Sequence, residues 1–186
     1  REVILLTLAY FFMVTGVYGL NFWIPSIVKK LSDLSTFQVS LVAALPYCFG
    51  FVTILVVGWH SDKTQERRWH TAISMMSASC GLMLSVVFGN FAPLAIAMLC
   101  ITGAGNAGYL PGFWALPTSF LSSTTAAASI GLINSFGNLG GFAGPYVVGY
   151  LSRETGSYYG GILYLAASAL LASFLILSLR TTRKTE

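Results

Sequence analysis

Two asparagines, Asn134 and Asn138, interrupt an apolar stretch that also holds Gly137, Gly140, Gly141 and Gly144. Four residues make about one helical turn, so on a helix the two amides share a face. A primary amide offers donors and an acceptor, which suits a carboxylate or hydroxyl ligand. An amide in an apolar medium must also find hydrogen-bond partners, so bonding between helices is the competing role, and both readings stay open. Tyr10, Asn21 and Tyr47 add further neutral polar groups, and Tyr109, Phe113 and Trp114 add aromatic surface. A phenol away from water can donate to a carboxylate; Trp23 and Trp114 also suit an interfacial aromatic belt. These groups can bind but have nothing with which to catalyse. The chain carries no nucleophile–base pair and no metal-ligand spacing, and its "GAGNAG" (Gly103 to Gly108) lies in an apolar run that follows no strand. The expectation is a binding protein without cofactor or metal, not an enzyme.

A second chemical feature is "GWHSDKTQERRWH", Gly58 to His70, which crowds Asp62, Lys63, Glu66, Arg67 and Arg68 together in a chain with only 9% charged residues. Asp62 can meet a helix N-terminus or a neighbouring arginine, and Gly58 permits close helix approach. His60 and His70 flank the island and read as loop residues, not as ligands or proton carriers. A bland alternative is a solvated turn whose charges only set topology.

Both features need elements to hold them, and composition says which. The 186 residues are 55% hydrophobic, far too apolar for a water-soluble fold of this size. Net charge +4 lacks a basic stripe on a soluble face, so juxtamembrane loops explain it better than nucleic acid does. Cys48, Cys80 and Cys100 all fall inside apolar runs and read as buried free thiols. A helix needs about 20 apolar residues to cross the bilayer core of about 30 Å. Six runs qualify, at about 3–28, 38–60, 70–89, 92–118, 126–151 and 158–179. They predict an all-α membrane bundle with short connections; a β-barrel is a poor fit because the runs do not alternate.

An even number of crossings puts both ends of the segment on one side, with the loop at 61–69 and the tail at 180–186. That side holds Arg1, Lys63, Arg67, Arg68, Arg180, Arg183 and Lys184, against Lys29, Lys30 and Arg153 on the other. The basic excess predicts that the ends and the charged island are cytoplasmic. A shift of 91 residues lays Tyr18, Phe22 and Trp23 on Tyr109, Phe113 and Trp114, and lays Val56, Val57, Gly58 and Ser61 on Val147, Val148, Gly149 and Ser152. The first three crossings thus echo the last three, as in secondary transporters built from two inverted three-helix repeats.

The island resembles the cytoplasmic loop motif of the major facilitator superfamily: a glycine, three residues, an aspartate, a basic residue, another residue, a glycine, then basic residues. Gly58, Asp62, Lys63, Arg67 and Arg68 match it, and Gln65 stands where glycine is usual. Further stretches, "YGLNFWIPSIVKK", "FWALPTSFL" and "GLINSFGNLGGFAGPYVVGYL", are similar to the anion:cation symporter family, in particular its tartrate-transporter-like and hydroxyphenylacetate-permease-like members. That resemblance implies a twelve-helix carrier of the cell (inner) membrane that takes up organic carboxylates, commonly with protons, by alternating access. The six helices here would be its C-terminal half. Its partners would then be an organic carboxylate, H+, the lipid bilayer and the missing N-terminal six-helix half. No Asp, Glu, Lys, Arg or His lies deep in any span, so a cation for the carboxylate and an acid for proton coupling must come from that other half. Asp62 would gate the inner side against a partner there. The alternative reading is a non-transporting structural or signalling helix bundle.

Overall fold

The computed structural model describes residues 1–121 and 123–179, and the predicted tail at 180–186 lies outside the described residues. The described residues fold into helices only: α1 (Glu2–Leu31), α2 (Thr36–Thr64), α3 (Arg67–Val87), α4 (Ala92–Phe120), α5 (Ser123–Gly137), α6 (Gly140–Thr155) and α7 (Tyr159–Leu177). Five of them, α1 to α4 and α7, are each long and apolar enough to cross a membrane. The fifth expected crossing is divided: the run at 126–151, expected as one helix, is the pair α5 and α6 broken at Asn138 and Leu139. Gly137, Gly140 and Gly141 crowd the break, and each weakens a helix interior by up to about 1 kcal/mol relative to alanine.

Contacts between helices repeat in two sets of three. Helix α1 packs along α5, α6 and α7, while α4 packs along α2 and α3, and α3 meets α7. Such mutual packing is what a three-helix unit and its inverted copy produce. Two close approaches hold the sets together. A methyl group on Gly144 would lie 3.0 Å from the Gly19 nitrogen, and one on Gly103 would lie 2.6 Å from Pro46 Cβ. Bare backbone is therefore required where α6 crosses α1 and where α4 crosses α2. Ser79 Oγ donates to the Ala166 carbonyl at 2.7 Å, and Ser173 Oγ donates to Ala72 at 3.0 Å, which ties α3 to α7 in both directions.

The apolar core forms two layers. One, around Leu6, Met13, Met75, Phe113 and Ile176, lies toward the end that carries the α2–α3 turn; the other, around Leu20, Ile24, Leu82, Leu99 and Leu165, lies toward the opposite end. Helix α2 contributes little to either and presents Phe49, Phe51, Val52 and Leu55 outward. The expectation of three buried thiols holds only for Cys100; Cys48 and Cys80 are exposed, because they face outward from α2 and α3.

The loop expected at 61–69 is almost entirely helical, with only Gln65 and Glu66 between α2 and α3. Gln65 takes the left-handed conformation, φ 55° and ψ 20°, that a glycine at this motif position would adopt freely. Glu66 then caps α3, its carboxylate accepting from the Trp69 N–H at 3.3 Å. At the opposite end, Ser35 and Gln38 form a reciprocal capping box that starts α2.

Candidate functional site

An open flank formed by α1, α2 and α4 gathers two of the neutral polar groups singled out in the sequence. A cleft of about 270 Å³ runs between α1, α2 and α4, floored by Leu20, Ile24 and Pro46. Asn21 and Tyr47 line it, together with Asn106. These three side chains have no hydrogen-bond partner among the described residues, so their donors and acceptors are available to a ligand in the cleft. Asn106 is the residue that sequence reasoning passed over. It is the single amide within "GAGNAG", and the small residues on either side let α4 come close enough to α2 to set it in the wall. Asn21 also lines a second, shallower cleft between α1 and α6, with Tyr18, Phe142 and Tyr146.

Asn134 and Asn138 lie on the exposed side of α5, at the helix break. They bond to each other rather than to a neighbouring helix. Asn138 Nδ2 donates to the Asn134 carbonyl at 2.8 Å and to Asn134 Oδ1 at 2.9 Å. The Asn138 amide therefore bridges the backbone where the helix is interrupted, while Asn134 Nδ2 keeps both of its hydrogens for another partner.

The aromatic candidates separate from these. Tyr10, Tyr109 and Phe113 are buried in the core of the six-crossing unit. Tyr10 stacks on Phe113 at 5.2 Å between ring centroids and meets Trp114 edge-on at 5.0 Å. Gly137, beside the break, seats directly against the Tyr10 ring. As placed here, Tyr10, Tyr109 and Phe113 form the bed beneath α5, and Trp114 is the half-buried member at its edge. Trp23 does more than fill a belt: its indole N–H donates to the Pro145 carbonyl at 3.0 Å and pins α1 to α6.

At the end with the charged island, Asp62 pairs with Arg67 inside this same unit, so its described partner is the neighbouring arginine and not a residue from elsewhere. The pair closes the α2–α3 turn. Asp62 remains 69% exposed, which leaves its second oxygen available to another segment. Lys63 lies over the Trp59 ring at 5.1 Å. Arg68 donates to the Leu179 carbonyl at 2.8 Å and ties the start of α3 to the end of α7. Gly58 rests against Pro111 of α4. His60 and His70, expected in a loop, belong to α2 and α3, and the ring nitrogens face each other at 2.6 Å across the turn. His70 Nδ1 also lies 2.5 Å from the Glu66 carbonyl, and since a carbonyl only accepts, that nitrogen carries a proton. This contact holds the two helices together beside the ion pair.

The sequence profile of the Major Facilitator Superfamily matches residues 2–186. The chain belongs to the Major Facilitator Superfamily. It is 39% identical over 96% of its length to a protein of Agrobacterium vitis provisionally named a tartrate transporter, covering 39% of that protein. It is 34% identical to the "Quinolone resistance transporter" of Acinetobacter baumannii, over 89% of this chain and 38% of the relative. Against the "Inner membrane transport protein RhmT" of Escherichia coli K12 the identity is 36%, over 96% of this chain and 41% of the relative. The chain thus spans about two fifths of the length of these relatives. Superfamily membership and five long apolar helices make this a multi-pass membrane protein.

Proposed function

We propose that this segment is the C-terminal half of a secondary transporter that takes up organic anions, polyhydroxy or aromatic carboxylates, by alternating access. The observation that supports it best is the cleft between α1, α2 and α4 where Asn21, Tyr47 and Asn106 present unpaired polar groups on an apolar wall, with the unpaired Asn134 amide exposed on α5. Side chains of this kind orient a ligand's hydroxyls and carboxylate oxygens through neutral hydrogen bonds. The net charge of the anion would be met by a cation from the other six-helix half, because none lies deep in these spans. Proton coupling would depend on a carboxyl group in that half as well. The ion pair of Asp62 with Arg67 and the tie from Arg68 to Leu179 would stiffen the cytoplasmic end as the halves rock. Names of relatives add weight, one for tartrate and one for the inner membrane.

The test is uptake of radiolabelled tartrate and sugar acids into proteoliposomes that hold the full-length carrier, with an inward proton gradient imposed. Accumulation that collapses with a protonophore is expected. No uptake of any carboxylate under that gradient would refute the reading. A second reading, export of amphipathic aromatic compounds, has support from the mostly apolar lining of the cleft and from the relative named for quinolone resistance. It predicts net efflux of such compounds and no carboxylate uptake.

A further inference from the structure

A cleft of about 380 Å³ opens between α1, α3 and α7 at the end opposite the charged island. Its upper wall is polar: Lys30, Asn90, Ser157, Tyr158 and Tyr159. About one turn further into the helices than Lys30 and Tyr159, Ile27 and Ile162 make the lining apolar, and Ser85 there is bonded to the Leu82 carbonyl. The Lys30 ammonium donates to the Gly156 carbonyl and sits 5.5 Å from the centre of the Tyr158 ring. An ammonium has three hydrogens, so two remain for a ligand. No carboxylate lines the cleft, and the described residues contain one ion pair only, that of Arg67 with Asp62 at the far end. Lys30 is therefore an uncompensated cation held at a fixed place.

We propose that this cleft binds the phosphate headgroup of an anionic phospholipid, with Lys30 facing the phosphate and the acyl chains lying along Ile27 and Ile162. The layering argues for a lipid. A phosphate diester joined to chains needs a cation and hydroxyls at the height of the membrane surface, with apolar surface directly beneath them. Tyr158 and Tyr159, apolar rings with polar tips, are residues suited to that boundary. The position on α1 argues against a transported solute. Lys30 follows Asn21 by nine residues, and at about 100° per residue that places it half a turn away, on the opposite face of the helix from the open flank. A bound lipid there would brace α1, α3 and α7 without entering the transport path.

Native mass spectrometry of the full-length carrier in mixed phosphatidylglycerol and phosphatidylcholine micelles tests the site. The carrier should retain phosphatidylglycerol preferentially. One basic side chain near a membrane surface contributes about 1 kcal/mol, so Lys30→Gln should lower that preference roughly fivefold, and Lys30→Arg should keep it. Lys29 donates to the Leu34 carbonyl and does not line this cleft, although a neighbouring one touches both lysines, so Lys29→Gln should lower the preference clearly less than Lys30→Gln does. Equal losses in the two glutamine variants would mean diffuse surface charge and overturn the site. Displacement of the lipid by soluble glycerol phosphate would make it a site for free phosphate esters, which also overturns the proposal. Absence of any lipid preference in the parent protein would overturn it outright.

Discussion

Asn134 and Asn138 share one face, but their hydrogen bonds assign them unequal tasks. Asn138 Nδ2 is committed to the Asn134 carbonyl and Oδ1, whereas Asn134 Nδ2 has no partner among the described residues. Replacing Asn134 by alanine removes a donor that a bound carboxylate would use. A hydrogen bond to a charged group contributes about 1.5–3 kcal/mol, so the Kd of an organic acid should rise roughly 10- to 150-fold. The same change frees one Asn138 contact, and thermal stability should fall by no more than the equivalent of about 1 kcal/mol. Asn138→Ala should show the reverse pattern. It deletes both bonds across the break, about 1–2 kcal/mol in all, and leaves the outward donors of Asn134 intact. Asn134→Asp sharpens the contrast, because a negative charge at that position repels a carboxylate outright. Binding by isothermal titration and melting in detergent, on the same preparations of full-length carrier, separate the two effects. Unchanged affinity in Asn134→Ala, together with a lowered melting temperature, would refute the assignment and leave both amides as supports of the broken helix.

Three further outcomes follow from the packing, the turn and the charge distribution. Gly144→Ala forces a methyl group into the α1 backbone and should cost about 1–3 kcal/mol, whereas Gly131→Ala, which meets nothing within 4 Å, should gain up to about 1 kcal/mol from helix propensity; equal melting temperatures would contradict the α1–α6 approach. Asp62→Asn breaks an exposed ion pair, so stability should change by less than about 1 kcal/mol while transport turnover falls at unchanged ligand affinity; normal turnover at normal expression would reduce the island to a topology signal. Single cysteines at Thr64 and Ser35 in a cysteine-free carrier should react with an impermeant thiol reagent from opposite sides, Ser35 from outside the cell, and labelling of Thr64 from outside would invert the proposed orientation.

The crossings were legible in the sequence because lipid imposes one demand on every residue of a span, and long charge-free runs answer it whatever their neighbours are. The break at Asn138 was not, since its glycines read equally well as small residues in a continuous packing face. Asn106 stayed hidden for a related reason: one amide among glycines and alanines has no periodicity, and only the close approach of α4 to α2 turns it toward a cleft. The pairing of Asp62 with Arg67 depends on a two-residue turn, which residue spacing alone does not specify.

The shift of 91 residues separates what a repeat preserves from what it does not. Gly58 and Gly149, which it aligns, hold equivalent places: one rests on Pro111 of α4, the other on Trp23 of α1. Phe22 and Phe113 do not, for the first is 68% exposed and the second fully buried. The two partner positions, Trp23 and Pro111, are 88 residues apart, so α1 and α4 correspond with a slip of three residues, close to one helical turn. A slip of that size keeps an aromatic on nearly the same face but moves it along the helix to different neighbours. The two glycines meet side chains, Gly58 the Pro111 ring and Gly149 the Trp23 ring, so what corresponds is a packed face and not a backbone contact. At this pair of positions the glycines keep equivalent places and the aromatics do not. By that measure α6 stands to α1 as α2 stands to α4, and the clefts that Asn21 lines lie beside these two contacts.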